Sequence, residues 1–584
     1  MMKKRLSGHR VVLAIWLLLS AALIVSSWAN IRDGVGWDPD DQLRLVQLRD
    51  FLNGQGWFDV RQYRLNPPDG APMHWSRLIE LPLAAITMLC TPLFGQAVAE
   101  IIASTIVPLL LFGAVIYLLA HAATQLGGRM AGTAAAVISA MSVPLLIQLR
   151  PMRIDHHGWQ IAMAVLALVS LFYNNARTAG QILGAALAVW LHISLEGAPM
   201  SAAFFLFLGW RWLACPDETP RLFWTISAFT LSSCALFFGT QTQGLASSVY
   251  CDTVSPPQIG AILVAAAIML PALKFAPRQA IVRALIMLTA AGAAMLAIVL
   301  RAPECANGAF GTLDPLVREY WYNYVDEGLP IWHQDPRLAL ICIVGPALGF
   351  VSSLYLARGA TGEDRSNLII LGFFTFYALI LSLLVFRTVS VASAYAVLPA
   401  ALMIAHLLAR YRQEGNASRR VLCVALILFL AVPNSLVSAF LDSWPDRQAA
   451  QTAQSEQNIA ACESPQSVAK LGALPKGQFI APFDMAPTIL ARTQHSVVAS
   501  SHHRNERAMH DHIRVFISTP DSAHRLLQKR RVDYFALCVG EEELANYARK
   551  DPDGLWAQMA KGQVPAWLEP LPVMGKGIKV WRVR

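Results

Sequence analysis

Apolar residues come in runs of about 20, the length of helix that crosses the hydrocarbon core of a bilayer. The first run, from Val11 to Trp28, follows Lys3, Lys4, Arg5 and Arg10. It is long for the apolar segment of a signal peptide and no small-residue cleavage site follows, so it reads as a first transmembrane helix. Further spans are predicted near 99–121, 130–148, 158–174, 180–194, 197–213, 222–241, 257–274, 281–300, 336–357, 367–386, 390–409 and 420–440. With the first they make about thirteen. Between the first two spans, the stretch WDPDDQLRLVQLRDFL at 37–52 places Leu43, Val46, Leu48, Phe51 and Leu52 at helical spacing, an amphipathic helix behind three acids.

The pattern changes after about residue 441. Polar residues dominate, and strand-like pieces (QFIAPF, HSVVAS, DYFALCV, KVWRV) alternate with helical ones such as DSAHRLLQKR. The expected fold class is therefore an α-helical polytopic membrane protein over 1–440 followed by an α/β domain over 441–584.

Composition agrees: 55% of the 584 residues are hydrophobic and 15% charged. The net charge of +9 does not read as nucleic-acid binding, because the basic residues lie in short clusters beside apolar spans and no recognition motif accompanies them. Instead they mark topology. Arg129, Arg177, Arg211 with Arg221, Lys274 with Arg278 and Arg283, Arg358 with Arg365, and the group Arg410, Arg412, Arg419 and Arg420 fall in alternate loops, as the positive-inside rule requires. The other face receives loop 29–98, short turns near 149–157 and 242–256, loop 301–335 and the tail. Cys251, Cys305, Cys462 and Cys538 fall on that face, where an oxidising compartment allows Cys251–Cys305 and Cys462–Cys538 bridges; spacing alone does not fix the pairing.

The unusual charges also collect there. Asp38, Asp40 and Asp41 stand at the start of the amphipathic helix, where acids also serve as caps. In RIDHHGWQ, Asp155, His156 and His157 occupy one turn. An acid and an imidazole two residues apart can face a divalent cation together, with Asp40 or Asp41 completing the shell; a wetted polar turn is the alternative. Glu327 precedes a Gly-Leu-Pro turn among aromatics. Arg387 interrupts an apolar stretch and needs an anionic partner, for which a lipid-linked phosphate would serve. His192 and Glu196 sit at another outer turn, either lining a cavity or bonding between helices.

In combination these residues resemble the catalytic subunit of the oligosaccharyltransferases, within the GT-C class of membrane glycosyltransferases that use polyprenyl-linked donors. The family places an Asp in its first outer loop ahead of an amphipathic helix. The spacing from Asp40 to Arg49 and Asp50 is similar to that of bacterial members, while DPDDQLR from Asp38 to Arg44 resembles the DPxxxxR of archaeal and eukaryotic ones. Asp40 with its neighbour Asp41 is the favoured equivalent and Asp38 the alternative. DHHG at 155–158 resembles the second acidic motif, implying Asp155 and His157 as metal ligands beside Asp40. YVDEGLP at 324–330 is similar to the SVxE motif, which gives Glu327 the role of the fifth-loop acid. FRTVSVASAYAVLP resembles the segment whose Arg binds donor phosphate, a role that falls on Arg387.

The resemblance spans about 1–440 and stops in the tail, where the sequon-reading WWDxG motif is absent. There the cluster SSHHRNERAMHDH offers His502, His503 and Arg504 as residues lining the cavity; its histidines do not show a zinc-ligand spacing. The resemblance implies a transferase, and single displacement with inversion is expected because the site offers no dedicated nucleophile. The positive-inside pattern puts the N-terminus in the cytoplasm and the tail in the periplasm, and the compact single-chain form points to the bacterial inner membrane. Such a transferase would use Mg2+ or Mn2+, a polyprenyl phosphate- or pyrophosphate-linked sugar donor and a glycan, lipid or protein acceptor of the cell envelope. The close alternative is a monosaccharide transferase acting on lipid A or protein hydroxyls. A transporter is the alternative from another class, but it would place polar residues at mid-span in paired repeats, and the acids here cluster in loops.

Overall fold

The computed structural model describes residues 2–240, 248–275, 277–443, 462, 464–538, 541–572 and 577–584. Packing divides the chain into one unit of residues 1–28, 76–311 and 326–443, and a second of 29–75, 312–325 and 444–584.

The first unit is helical and makes this a multi-pass membrane protein. Among the described residues nine helices are long and apolar enough to cross a membrane, and Ala417–Ala431 with Pro433–Asp442, bent by 94°, provide a tenth if taken together. The larger number expected from sequence includes segments that fold as the shorter or less apolar helices His157–Ser170, Ala176–Ile193 and Ala198–Ala214. One expectation is corrected: residues 80–94, placed by the sequence reading inside loop 29–98, form the helix Glu80–Phe94. Its apolar run is too short for a 20-residue template, and Pro92 stands inside it. Helix Gln96–Met141 is broken at Gly128, whose φ of 79° only glycine adopts without strain.

Close helix approach in this unit rests on small residues. Gly180 and Gly184 lie one turn apart on Ala176–Ile193; a Cβ on them would come within 2.5 Å of Arg221 O and 2.3 Å of Thr225 O, so the backbone of Thr219–Thr240 packs directly on both. Val389–Gln413 is the innermost long helix, with Ala392, Ala394, Tyr395, Leu398 and Ala401 fully buried. The Tyr395 hydroxyl donates to Ala164 O at 3.0 Å, giving a buried polar tip its partner. Cys251 is bonded to Cys305.

The second unit is α/β. After a short antiparallel pair, β1 (Arg61–Gln62) and β2 (Ala71–Pro72), comes a five-stranded mixed sheet of β3 (Gln478–Ile480), β4 (Ser496–Val497), β5 (Tyr534–Cys538), β6 (Leu568–Pro570) and β7 (Ile578–Val583). Its order is β4-β3-β5-β7-β6. The β3 strand runs parallel to β4 and β5, and β7 antiparallel to β5 and β6. All of β5 is buried, which explains why DYFALCV reads as a continuous apolar run. The four strand-like stretches of the tail all contribute to this sheet; β6, three residues ending in Pro570, carries no alternating pattern. Cys462 is bonded to Cys538.

The unit boundary departs from the expected division at residue 440. Helix Pro39–Leu52 buries Leu43 and Val46 in the same apolar core as Met485, Ala486 and Ile489 of helix Met485–Arg492. Arginines complete the join at the latter helix's last turn, whose carbonyls have no helical partner and carry partial negative charge. Arg49 donates to Ala491 O at 2.7 Å, and Arg64 to Leu490 O at 2.8 Å and Thr493 O at 2.9 Å. Residues 312–325 are held likewise: Tyr320 donates to Asp551 Oδ2 at 2.5 Å, and Asp314 N to Glu506 Oε2 at 3.2 Å. Loops that the sequence attaches to the membrane part are thus built into the α/β unit.

Candidate functional site

In the first unit, the turn at 150–156 connects helices Val143–Leu149 and His157–Ser170. Met152 adopts φ 68°, and its N–H donates to Ser104 O at 2.9 Å, so the turn is anchored to Gln96–Met141. Asp155, His156 and His157 are all buried. One carboxylate oxygen of Asp155 contacts His156 Nδ1 at 2.5 Å, and the other lies 3.4 Å from His157 Nε2 and 3.9 Å from Arg153. Each of the three residues offers a ligand atom within 4.8 Å of the others.

Two further carboxylates reach this turn. Glu196, in the turn Leu195–Gly197, receives Gln160 Nε2 at 2.9 Å on Oε2, which also lies 3.8 Å from His156 Nε2; its Oε1 pairs with Arg387. Gln160 is fixed in turn by Trp190 Nε1, which donates to Gln160 Oε1 at 3.0 Å. Arg387 extends its other terminal nitrogen to Glu327 Oε1 at 3.1 Å, and Glu327 Oε2 lies 3.8 Å from His157 Nε2. Phe386 N donates to Leu329 O at 3.1 Å, binding the two segments together through the backbone.

The charges order themselves accordingly. Burial pushes the His156 imidazole down, but Asp155 and then Glu196 lift it to about 10. Burial likewise pushes Asp155 up, and the neighbouring His156 and His157 more than offset it, holding the carboxyl well below its usual range. Glu196 is pushed up by burial and held well below its usual range chiefly by Arg387. The cluster therefore keeps ionised carboxylates in a buried place, which is what a hard cation requires of its ligands.

In the second unit the three aspartates part company. Asp38 is the N-cap of Pro39–Leu52 and accepts from Asp41 N at 3.0 Å, while Asp41 Oδ2 accepts from Trp37 N at 2.8 Å and Asp38 N at 3.3 Å, a reciprocal capping box. Asp40, one residue away on the helix, is turned to His502, whose Nε2 lies 3.4 Å from its Oδ1. The His502 Nδ1 pairs with Ser500 Oγ at 3.0 Å, and its ring stands edge-on to Trp75 at 4.8 Å. His503 lies 4.7 Å from the His74 ring, and Arg504 donates to Met73 O at 3.0 Å.

No family model matches the chain, and no curated protein matches it. Solved structures do. The archaeal oligosaccharyltransferase AglB from Archaeoglobus fulgidus, in complex with an inhibitory peptide and a dolichol-phosphate, is similar with a TM-score of 0.68 at 13% identity, over 97% of this chain and 73% of that one. The Archaeoglobus fulgidus oligosaccharyltransferase in the apo form gives 0.62 at 14% identity, over 90% and 69%. The same enzyme complexed with Zn and sulfate gives 0.57 at 14%, over 97% and 72%. The fold is that of the GT-C glycosyltransferases.

Within the first unit of this GT-C fold, Asp155, His156, His157, Glu196, Glu327 and Arg387 form one network although they come from four turns far apart in sequence. His192 is buried on its own helix, with Nδ1 against Ala188 O at 2.9 Å. Within the second unit, Asp40 and His502 meet, and Asp38 and Asp41 are their helix's cap. Sequence reasoning missed Gln160 and Trp190. Gln160 follows His157 by three residues on one helix, so their shared face was a readable signal; Trp190 carried none, because only packing brings its N–H to Gln160.

Proposed function

We propose that this protein is a metal-dependent glycosyltransferase that uses a polyprenyl phosphate- or pyrophosphate-linked sugar at the periplasmic face of the bacterial inner membrane, and transfers it to a cell-envelope acceptor. The observation that carries this reading is the Arg387–Glu327–His157–Asp155 chain of contacts on a GT-C fold. An arginine suited to phosphate and a carboxylate–imidazole pair suited to a divalent cation stand in one cluster.

Asp155 and His157 would hold the cation, Mg2+ or Mn2+; anionic oxygen and neutral imidazole fit a hard or borderline ion. When bound, such an ion stabilises the negative charge that grows on the departing phosphate. Arg387 grips the donor's phosphate, and Glu196 and Glu327 fix its guanidinium plane. The bond from the sugar's anomeric carbon to phosphate oxygen breaks, and a bond to the acceptor forms from the opposite side. The acceptor's proton passes to Asp40 or Glu327. Of the three first-loop aspartates, Asp40 suits this role, because Asp38 and Asp41 are engaged in the cap.

The test is release of polyprenyl phosphate or pyrophosphate, and transfer of labelled sugar, by purified protein in detergent, with Mn2+ or with EDTA. Expected is metal-dependent release, lost in Asp40→Asn, Asp155→Asn and Arg387→Ala. Folded variants that turn over like wild type would remove the proposal.

A further inference from the structure

Helix Met485–Arg492 begins after Asp484, whose side chain does not cap it. An aspartate at this position ordinarily accepts an N–H of the first turn. Here the carboxylate instead receives the Ser501 hydroxyl and lies among the charges of Glu543, Asp40 and His502. Glu543 is already engaged, accepting from Phe483 N at 2.9 Å and from the Tyr547 hydroxyl at 2.7 Å. Asp484 is engaged differently: protein crowds its carboxylate, yet the side chain still presents a face to solvent.

His502 supplies the second observation. Its ring is 97% buried, being 3% exposed, and Nδ1 is used by Ser500. Nε2 makes no hydrogen bond among the described residues and points toward Asp40 Oδ1 at 3.4 Å. A buried ring nitrogen is nearly always satisfied, so one that faces Asp40 without a hydrogen bond, with the charge of Asp484 nearby, marks a place where a ligand brings polar atoms. Two carboxylates repel an anionic ligand and accept hydrogen bonds from hydroxyls. One imidazole nitrogen can donate to, or accept from, a neighbouring hydroxyl.

We propose that Asp40, Asp484 and His502 form an acceptor subsite that binds vicinal hydroxyls of a saccharide. This rests on the glycosyl-transfer reading above. Asp484 and His502 are acceptor-binding residues in it, and Asp40 stands where the attacking hydroxyl is held.

The experiment uses full-length protein in detergent, radiolabelled undecaprenyl phosphate- and pyrophosphate-linked sugars, and two acceptor probes: neutral oligosaccharides prepared from envelope polysaccharide, and an Asn-containing peptide. Asp484→Asn and His502→Gln are expected to raise the oligosaccharide concentration for half-maximal transfer on the order of 10-fold, the effect of losing a hydrogen bond to a charged or buried group. The donor KM should change far less, and Asp484→Glu should recover part of the loss. Equal changes in donor and acceptor KM, no change in either, or wild-type transfer to the peptide alone would overturn the subsite. A wild type that releases sugar from no donor would instead overturn the glycosyl-transfer reading, and the subsite with it.

Discussion

In the proposed reaction Arg387 grips a donor phosphate only if its guanidinium is held in place, and Glu196 is one of the two carboxylates paired with it. Glu196→Gln keeps the shape and removes the charge. The side chains are 31% and 18% exposed, so their pairing lies between two known cases. Exposed ion pairs contribute about 0.2–1 kcal/mol, and breaking a buried one costs about 3–5 kcal/mol. About 2 kcal/mol is expected, which is roughly a 30-fold loss in kcat/KM for the lipid-linked donor. The decisive assay is a double-mutant cycle with Arg387→Ala. If Glu196 acts through Arg387, Glu196→Gln costs little once Arg387 is gone, and the coupling equals most of that 2 kcal/mol. Additive losses would refute the reasoning, because Glu196 would then act on something other than Arg387. Gln160→Leu, which removes the N–H that fixes Glu196 Oε2, should give a smaller loss of the same kind.

Other consequences follow from the same contacts. Asp155→Asn and His157→Ala should each weaken Mn2+ binding by 10-fold or more, read by electron paramagnetic resonance titration of the ion, and excess EDTA should abolish turnover reversibly. Arg64→Ala leaves carbonyls of Leu490 and Thr493 without their donor; it should cost about 2 kcal/mol and lower the melting temperature of the α/β unit, followed by far-ultraviolet circular dichroism or limited proteolysis. The carboxyl of Asp484 is pushed up to about 6 by its crowded surroundings, then by Glu543 and Asp40. Between the ordinary aspartate value and 6 the folded state therefore holds more protons than the unfolded one, and stability falls as pH rises through that window. Asp484→Asn should flatten this fall, so that the variant gains on wild type at pH 7 and matches it near pH 4 in thermal unfolding; an identical pH dependence in both proteins would contradict it.

Much of the candidate site could be read in the sequence because its residues are chemically out of place. Arg387 in an apolar stretch, and an acid beside two histidines at a helix start, announce themselves through the cost of burying charge. The sorting of Asp38, Asp40 and Asp41 could not be read there: all three occupy one helix start, and which becomes cap and which turns to His502 depends on a residue more than 450 positions away. Asp484 was invisible for a related reason. Only the folded chain shows that it stands at a helix start without capping it.

The sequence by itself determined the polytopic helical character of the membrane part and the α/β character of the tail, because hydrophobic runs, local periodicity and composition act within a few turns of chain. Tertiary structure alone decided that residues 29–75 and 312–325 belong to the tail's unit, that Glu196 and Glu327 share one arginine, and that Gln160 and Trp190 stand behind Glu196. These are pairings between distant segments. Each depends on which apolar faces bury together and which charges then lack water, and no local pattern encodes that choice.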